Sequence, residues 1–339
     1  MFNKPSQAAL LNTVEQLGEV VLPVRALAKV NLRLRVLGRF PNGYHDLSMV
    51  NGSISLADEL VITIGQGSGF SLNVEPPLPG SPLGENLVAK AVIEFVREFA
   101  LAAPDSSESS DNISTASILE QLPFTFHSTL TKRIPVGGGL GGGSSDAAGV
   151  LRVLVQLFGG ALCRAAGLSQ VEFAARVNSA ALRCGADVPY ALSGGFAWVG
   201  GVGDKVIPLH NKDMRFTHVA LVSPPFASPT AAFYQAYRSA HPSIPVFEEG
   251  PNELAKEGEI NHLQALIRND FEDVLCGLYP KLGEYLSVMR RFFPGRASIT
   301  GSGATLFAIL SDGDHRLLPD FEREIASLDG EVGVYEWIE

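Results

Sequence analysis

The sequence predicts a mixed fold of helices and strands without the regular strand–helix alternation of a doubly wound sheet. Three observations carry that reading. Residues 24–38 alternate: Val30, Leu32, Leu34 and Val36 are apolar, while Lys29, Asn31, Arg33 and Arg35 are polar. A period of two is the mark of a half-buried strand. Further on, Ala147, Val150, Leu151, Leu154, Leu157 and Phe158 recur at three- and four-residue steps, the stripe of a helix with one buried face. A dinucleotide-binding dehydrogenase needs a strand, a glycine turn, a helix and an acidic residue after the next strand; that βαβ pattern is missing.

In chain order, residues 1–22 read as an extension ahead of the fold, with a short helix possible over residues 10–21. The strand at 24–38 follows, with Lys29 and Asn31 projecting from one face. In isolation these two are a solvated polar face. Pro41-Asn42-Gly43 is a turn signal, and Tyr44 and His45 come directly after it. Residues 58–64 read as a strand and residues 75–82 as a proline-rich loop. Residues 86–99 read as a helix with Asn86 as its cap. Residues 102–120 are serine-rich and poor in core formers, so a mobile loop is expected there. Residues 124–134 read as a strand ending in Lys132-Arg133.

The stretch PVGGGLGGGSSDAAG, residues 135–149, places six glycines between Val136 and Ser144. Glycine loses more backbone freedom on ordering than any other residue, so such density suits a sharp turn or a close approach to a ligand. Ser144, Ser145 and Asp146 are good helix-start residues. A glycine loop feeding a helix N-terminus offers unpaired N–H groups and partial positive charge, which suits a phosphate. The stretch is not a Walker-type loop, because no Gly-Lys-Ser/Thr follows the glycines, and runs of glycine satisfy GxGxxG spacing too easily to count as a dinucleotide fingerprint.

Residues 171–182 read as a helix stopped at Gly185. Asp187 lies two residues before Pro189, which pushes Val188 towards an extended shape and puts Asp187 on a turn leaving that helix. Taken alone, such an aspartate is a capping or surface residue. Residues 196–199 and 218–223 read as strands. Ser228-Pro229-Thr230 starts a helix carrying Phe233 and Tyr234. Residues 261–278 read as helical, with Asn269 to Glu272 in a structural role. Residues 297–310 alternate around Gly301-Ser302-Gly303, where two backbones must meet closely.

The chain has 339 residues, 46% hydrophobic and 18% charged, enough for two domains or one large one. A net charge of −10 makes it a poor general binder of nucleic acid or anionic membrane. Three cysteines without metal-like spacing argue against a disulfide framework and fit a reducing compartment. No secretory signal, no run of membrane-spanning length and no internal repeat is read from the sequence, and a cytoplasmic protein is expected.

Several of these segments share a likeness. PVGGGLGGGSSDAAG closely resembles the second motif of the GHMP kinases, the family of galactokinase, homoserine kinase and mevalonate kinase. AKVN at residues 28–31 resembles that family's opening A-K-x-N motif, GADVP at 185–189 its catalytic turn, and ASITGSGATLFAIL at 297–310 its third motif. GRFPNGYH at 38–45 resembles a segment particular to the branch acting on a cytidine diphosphate-linked methylerythritol. The likeness covers roughly residues 24–310 in the family's order.

The resemblance implies a two-lobed α+β GHMP kinase fold with a cleft between an ATP-binding lobe and a substrate lobe. Residues 1–22 would be an N-terminal extension, 23–189 the ATP-binding domain and 190–339 the substrate domain. It implies ATP-dependent phosphorylation of a hydroxyl on that small molecule, on the non-mevalonate route to isoprenoid precursors. Pro135, Val136, Gly137, Gly138, Gly139, Leu140, Gly141, Gly142, Gly143, Ser144 and Ser145 would hold the nucleotide, with Asn86 near it. Mg2+ would bridge phosphate oxygens, with Ser144 or Ser145 a ligand. Asp187 would take or orient the hydroxyl proton. Lys29 would stabilise the moving phosphoryl group and keep Asp187 ionised, and Asn31 would orient the same groups. Tyr44, His45 and Tyr234 would hold the cytosine, Phe233 competing for the last role, and Thr230 would lie near the substrate. The implied partners are this small molecule alone, with no nucleic acid and no membrane, in a monomer or weak homodimer. Two other readings stay open at this point: another GHMP kinase, of homoserine or mevalonate type, and a non-catalytic ligand-sensing protein of the same fold.

Overall fold

Strand and helix periods in the sequence turn into two separately packed cores. The computed structural model describes residues 4–41, 43–77, 85–100, 114–228, 230–241 and 258–339. They form two compact units, one from Met1–Ala26, Asp58–Arg133 and Gly143–Leu192, the other from Leu27–Ala57, Ile134–Gly142 and Ser193–Glu339. The division expected from the resemblance follows chain order with one cut near residue 190. Packing instead interleaves the chain: the second unit takes in two earlier segments, the inner strands and the glycine loop.

The first unit opens with α1 (Lys4–Leu17). Leu10 and Val14 are buried in the unit's core, so the segment expected as an extension contributes to packing. β1 (Val20–Arg39) and β2 (His45–Gly65) pair with each other and pass from one unit into the other. In the first unit, residues 59–65 of β2 pair antiparallel with β4 (Thr125–Thr131), which pairs parallel with β3 (Gly69–Glu75).

Helices cover this sheet. α2 (Leu87–Phe99) is capped by Asn86, whose side chain accepts from the Val88 N–H, as the sequence predicts. α3 (Thr115–Glu120) lies inside the stretch expected to be a loop. Ser114 caps it, and Ile118 and Leu119 give it an apolar face to bury; residues 102–113 fall outside the described residues.

α4 (Gly142–Ala166) begins three residues before Ser145. α5 (Gln170–Cys184) starts at a capping box formed by Ser169 and Glu172, and Arg183 ties it to α2 through Glu94 and Glu98. α6 (Val188–Ser193) follows at once. Val188 is therefore helical rather than extended: Pro189 sits in the first turn, where its missing N–H costs nothing. Among the described residues α4 is long and apolar enough, by length and composition, to cross a membrane, contrary to the sequence reading. Of its apolar window 61% is buried inside the fold, as for the core helix of a globular unit.

The second unit is built on an antiparallel sheet. β5 (Phe196–Gly201) pairs with residues 47–52 of β2 and with β6 (Lys205–Asn211), whose end pairs parallel with the two-residue strand β8 (Glu259–Ile260). β7 (His218–Ser223) lies between β11 (Leu306–Leu310) and β12 (Glu331–Ile338), and Trp337 and Ile338 of β12 pair with Ile54 and Ser53 of β2. β10 (Ala297–Ile299) completes a hairpin with β11.

Around this sheet lie α7 (Thr230–Ala240), α8 (Glu272–Leu278), α9 (Pro280–Phe292) and α10 (Leu318–Ala326). The helix expected over 261–278 is broken into a 3-10 turn (Leu263–Leu266), a two-residue strand β9 (Arg268–Asn269) paired with β1, and α8. Asn269 explains the break. Its side chain accepts from the Phe271 N–H and donates to the carbonyls of Ile299 and Gly301, bonds that an exposed helical asparagine would forgo. The three cysteines, Cys163, Cys184 and Cys276, are free.

Candidate active site

In the second unit the glycine loop is shaped by its neighbours. Gly137, Gly139 and Gly141 have φ of +72°, +77° and +71°, a region where side chains are strained. The Lys29 N–H donates to the Leu140 carbonyl at 3.0 Å and the Thr305 N–H to the Gly138 carbonyl at 3.3 Å. A β-carbon on Gly139 would sit 2.4 Å from the Thr300 carbonyl oxygen. The loop thus packs on the turn at Gly301–Gly303, as expected for two backbones meeting closely, and Asn269 braces that turn from behind. Pro135, Val136 and Gly137 remain exposed, while Gly138 and Leu140 are buried.

Lys29 and Asn31 are buried, at 5% and 1% exposure, so they are not a solvated strand face. The Lys29 ammonium donates to Asn31 Oδ1. Asn31 is held on three further sides: its N–H donates to Thr300 Oγ1 at 3.0 Å, its Nδ2 to Asn51 Oδ1 at 2.7 Å, and its Oδ1 accepts from the Thr300 hydroxyl at 3.3 Å. Asn51 and Thr300 were not singled out by the sequence reading. Asn51 carried one available signal, a polar residue in the apolar run of β2. Its own Nδ2 is buried with no hydrogen-bond partner among the described residues, a state rare enough to need an explanation.

The same unit holds the aromatic residues. A turn closed by Phe40 N–H to the Tyr44 carbonyl, 2.8 Å, leads into β2. His45 is buried, and its ring stacks on Tyr234 at 5.3 Å and 22°. Tyr237 meets the same imidazole edge-on at 5.7 Å. Tyr44, next to it in the chain, is 64% exposed. Phe233 is fully buried against Phe271, a core residue, which leaves Tyr234 as the half-buried ring beside His45. His45 Nε2 has no partner among the described residues. Burial, with the guanidiniums of Arg39 and Arg238 nearby, pulls its imidazole below the usual histidine range. It is a neutral ring at physiological pH. Thr230 begins α7; its side chain lies outside the described residues.

His45, Met49 and Asn51 occupy alternate positions of β2 and so share a face. Asn31 Nδ2 reaches both Met49 Sδ, at 3.6 Å, and Asn51. Four to six residues of strand therefore separate the ring stack from the Lys29–Asn31 pair, roughly 13–20 Å.

In the first unit, the chain neighbours of Asn86 and Asp187 lie against the start of α4. Leu87, next to the cap Asn86, lies 3.2 Å from where a β-carbon of Gly143 would be, and a β-carbon on Gly185 would sit 3.9 Å from Ser144 Oγ. The turn carrying Asp187 thus adjoins the first turn of α4. Asp187 is half-buried, and its carbonyl accepts from the Ala191 N–H at 3.0 Å. Ser145 is buried. Among the described residues no three His, Cys, Asp or Glu side chains converge as a metal cage.

The GHMP kinases N-terminal domain profile matches residues 108–195. A 4-diphosphocytidyl-2-C-methyl-D-erythritol kinase of Hahella chejuensis is 32% identical over 291 residues, 86% of this chain and 86% of the relative. The enzyme of the same name from Pseudothermotoga lettingae is 33% identical over 87% of this chain and 94% of its own length. A crystal structure of 4-(cytidine 5'-diphospho)-2C-methyl-D-erythritol kinase superposes with a TM-score of 0.63 at 27% identity, covering 94% of this chain and 100% of that one. Homoserine kinase from Cytophaga hutchinsonii, 14% identical with a TM-score of 0.58, shares the fold. With its glycine loop, its Lys29–Asn31 pair and this degree of identity, the chain belongs to the 4-diphosphocytidyl-2-C-methyl-D-erythritol kinase family of the GHMP kinases.

Proposed function

We propose that the protein transfers the γ-phosphoryl group of ATP to the 2-hydroxyl of 4-diphosphocytidyl-2-C-methyl-D-erythritol, on the non-mevalonate route to isoprenoid precursors. The observation that carries this substrate is the His45–Tyr234 stack, with an unpartnered Nε2 at its edge. A ring pair and a free polar atom are what a pyrimidine face and edge require. The roughly 13–20 Å of strand between that stack and Lys29 suits a nucleoside diphosphate joined to a short polyol better than a small amino or hydroxy acid.

Phosphoryl transfer needs positioning and charge compensation more than covalent chemistry. The acceptor oxygen loses its proton to the Asp187 carboxylate and bonds to the γ-phosphorus, while the bond from that phosphorus to the β–γ bridging oxygen breaks and ADP leaves. The backbone N–H groups of residues 137–145, at the start of α4, hold the phosphate oxygens. Lys29 meets the charge that develops on the moving group. Asn31, fixed by Asn51 and Thr300, sets the direction of the lysine and of the acceptor hydroxyl. Asn86 lies near the nucleotide and Thr230 near the acceptor. Tyr44 covers the outer face of the base.

Mg2+ fits this donor set in the manner usual for nucleotide enzymes, arriving with the phosphates and taking one or two protein oxygens rather than a cage. Ser144 or Ser145 would supply that oxygen, and the ion would neutralise phosphate charge. In this reading the enzyme works in the cytoplasm on a small molecule, without nucleic acid or membrane, as a monomer or weak homodimer.

The test is ATP consumption with 4-diphosphocytidyl-2-C-methyl-D-erythritol, homoserine, mevalonate and galactose, for wild type and Asp187→Asn. Turnover of the cytidylyl substrate alone, lost in the variant, is expected. Turnover of another acceptor, or none despite ATP binding, overturns the reading.

A further inference from the structure

Outside the residues assigned so far, the most densely charged buried place in the first unit is a lysine between two aspartates. Lys132 leaves β4, and its ammonium donates to Asp146 Oδ2 in α4 at 2.8 Å and also to Asp58 Oδ2 in β2. Asp58 uses its other oxygen to accept the Arg133 N–H at 2.6 Å. The side chains of Lys132, Asp58 and Asp146 are 8%, 0% and 5% exposed. One cation faces two carboxylates, and Asp146 Oδ1 is buried with no hydrogen-bond partner among the described residues.

The location gives this cluster its meaning. Lys132 is the last residue before Arg133 and the glycine stretch, and Asp146 is the first after Ser145. Their ion pair ties together the two ends of the whole loop. Asp58 holds the same neck to β2. Loop ends fixed in this way leave the glycines between them far fewer conformations. Six glycines otherwise carry a large backbone entropy. A buried ion pair is weak as a source of stability, because well-packed apolar residues do as well. A fixed neck for a phosphate-holding backbone is a use that apolar residues would serve poorly.

We propose that Lys132, with Asp58 and Asp146, is a clamp across the neck of the glycine loop, and that Lys132 is a positioning residue for the nucleotide. The inference rests on the kinase reading given above. Lys132 acts through the loop backbone. Its loss therefore weakens ATP binding and leaves the acceptor side alone.

Lys132→Met, Lys132→Arg and Asp146→Leu test this. The readouts are KM for ATP and for the cytidylyl substrate, kcat, calorimetric binding of ATP, and amide hydrogen exchange. In Lys132→Met we expect KM and Kd for ATP to rise about tenfold, acceptor KM to stay within about twofold, and exchange to quicken in residues 134–145. Lys132→Arg, which keeps the charge and two-carboxylate reach, should recover most of the affinity. If Lys132→Met does not fold, Asp146→Leu carries the test: it leaves Lys132 and Asp58 as a neutral pair and cuts the tie to α4, so the same rise is expected. ATP affinity within about twofold of wild type in a folded variant overturns the clamp. So does exchange that quickens evenly across the first unit, with affinity falling only as the folded fraction falls. A wild type that binds ATP but phosphorylates nothing would remove the kinase reading, while binding and exchange would still decide the clamp.

Discussion

Gly141 lies against the shaft of Lys29: a β-carbon there would sit 3.1 Å from Lys29 Cγ and 3.2 Å from Cε. With φ at +71°, the position is also closed to an unstrained side chain. The glycine thus leaves room for the lysine to lie straight towards Asn31. Gly141→Ala should lower kcat/KM by about tenfold to a hundredfold while the melting temperature changes by only a few degrees. Gly139→Ala should do more, because its β-carbon would meet the Thr300 carbonyl at 2.4 Å and backbone cannot step aside. Gly277→Ala in α8, with nothing within 4 Å, is the control and should be neutral or stabilising. Kinetics and melts on the three variants check the order.

The ring stack predicts a split between substrates. Tyr234→Ala and His45→Ala should each raise KM for the cytidylyl substrate by about tenfold or more, the scale of a lost stacking contact, with KM for ATP unchanged. Phe233→Ala, one residue away but fully buried, should instead destabilise the protein by about 3–5 kcal/mol. Equal rises in both KM values for Tyr234→Ala would place that residue outside the acceptor site.

Asn51 is expected to act through Asn31. Asn51→Leu removes the oxygen acceptor of Asn31 Nδ2 and leaves that buried amide only the weak Met49 Sδ acceptor, a cost of about 1–3 kcal/mol. A drop of about tenfold in kcat with both KM values steady should follow. A variant with wild-type kcat would show that Asn31 needs no such support.

Stability should depend on pH through Asp146. Burial pushes its carboxyl from 3.8 up to about 7, with Lys132 opposing that shift and Asp58 adding to it. The folded protein holds this proton more tightly than the unfolded chain. The group's contribution is therefore complete below about pH 4 and lost as pH rises through about 7. Urea midpoints should fall across that window in wild type and fall less in Asp146→Asn. Identical slopes would contradict the assignment.

How far the sequence could be read depended on which forces are local. The alternation at Lys29–Val36 and the helical stripe after Asp146 are local, and both elements stand where periodicity puts them. Their burial is not local: nothing near Lys29 or Asn31 reveals that Thr300 and Asn51 will enclose them. Asn269 lies in a sequence stretch that suits a helix, and bonds to the carbonyls of Ile299 and Gly301, thirty and thirty-two residues away, override it. Val188 shows a local rule, extended shape before proline, yielding to a helix that begins there. Lys132 and Asp58, seventy-four residues apart, had no signal at all except two charges beside apolar strands.

The chain crosses between its two units five times, at residues 26/27, 57/58, 133/134, 142/143 and 192/193. Neither unit can therefore be inherited, expressed or exchanged as one stretch of sequence. A chimera of two relatives joined at any single point between residues 27 and 192 mixes both cores at once, and a fragment ending at residue 192 would carry Lys29 and the glycine loop without the strands β5, β7, β11 and β12 that complete their sheet. A single recombination event leaves one core intact only when its joint falls outside residues 27–192.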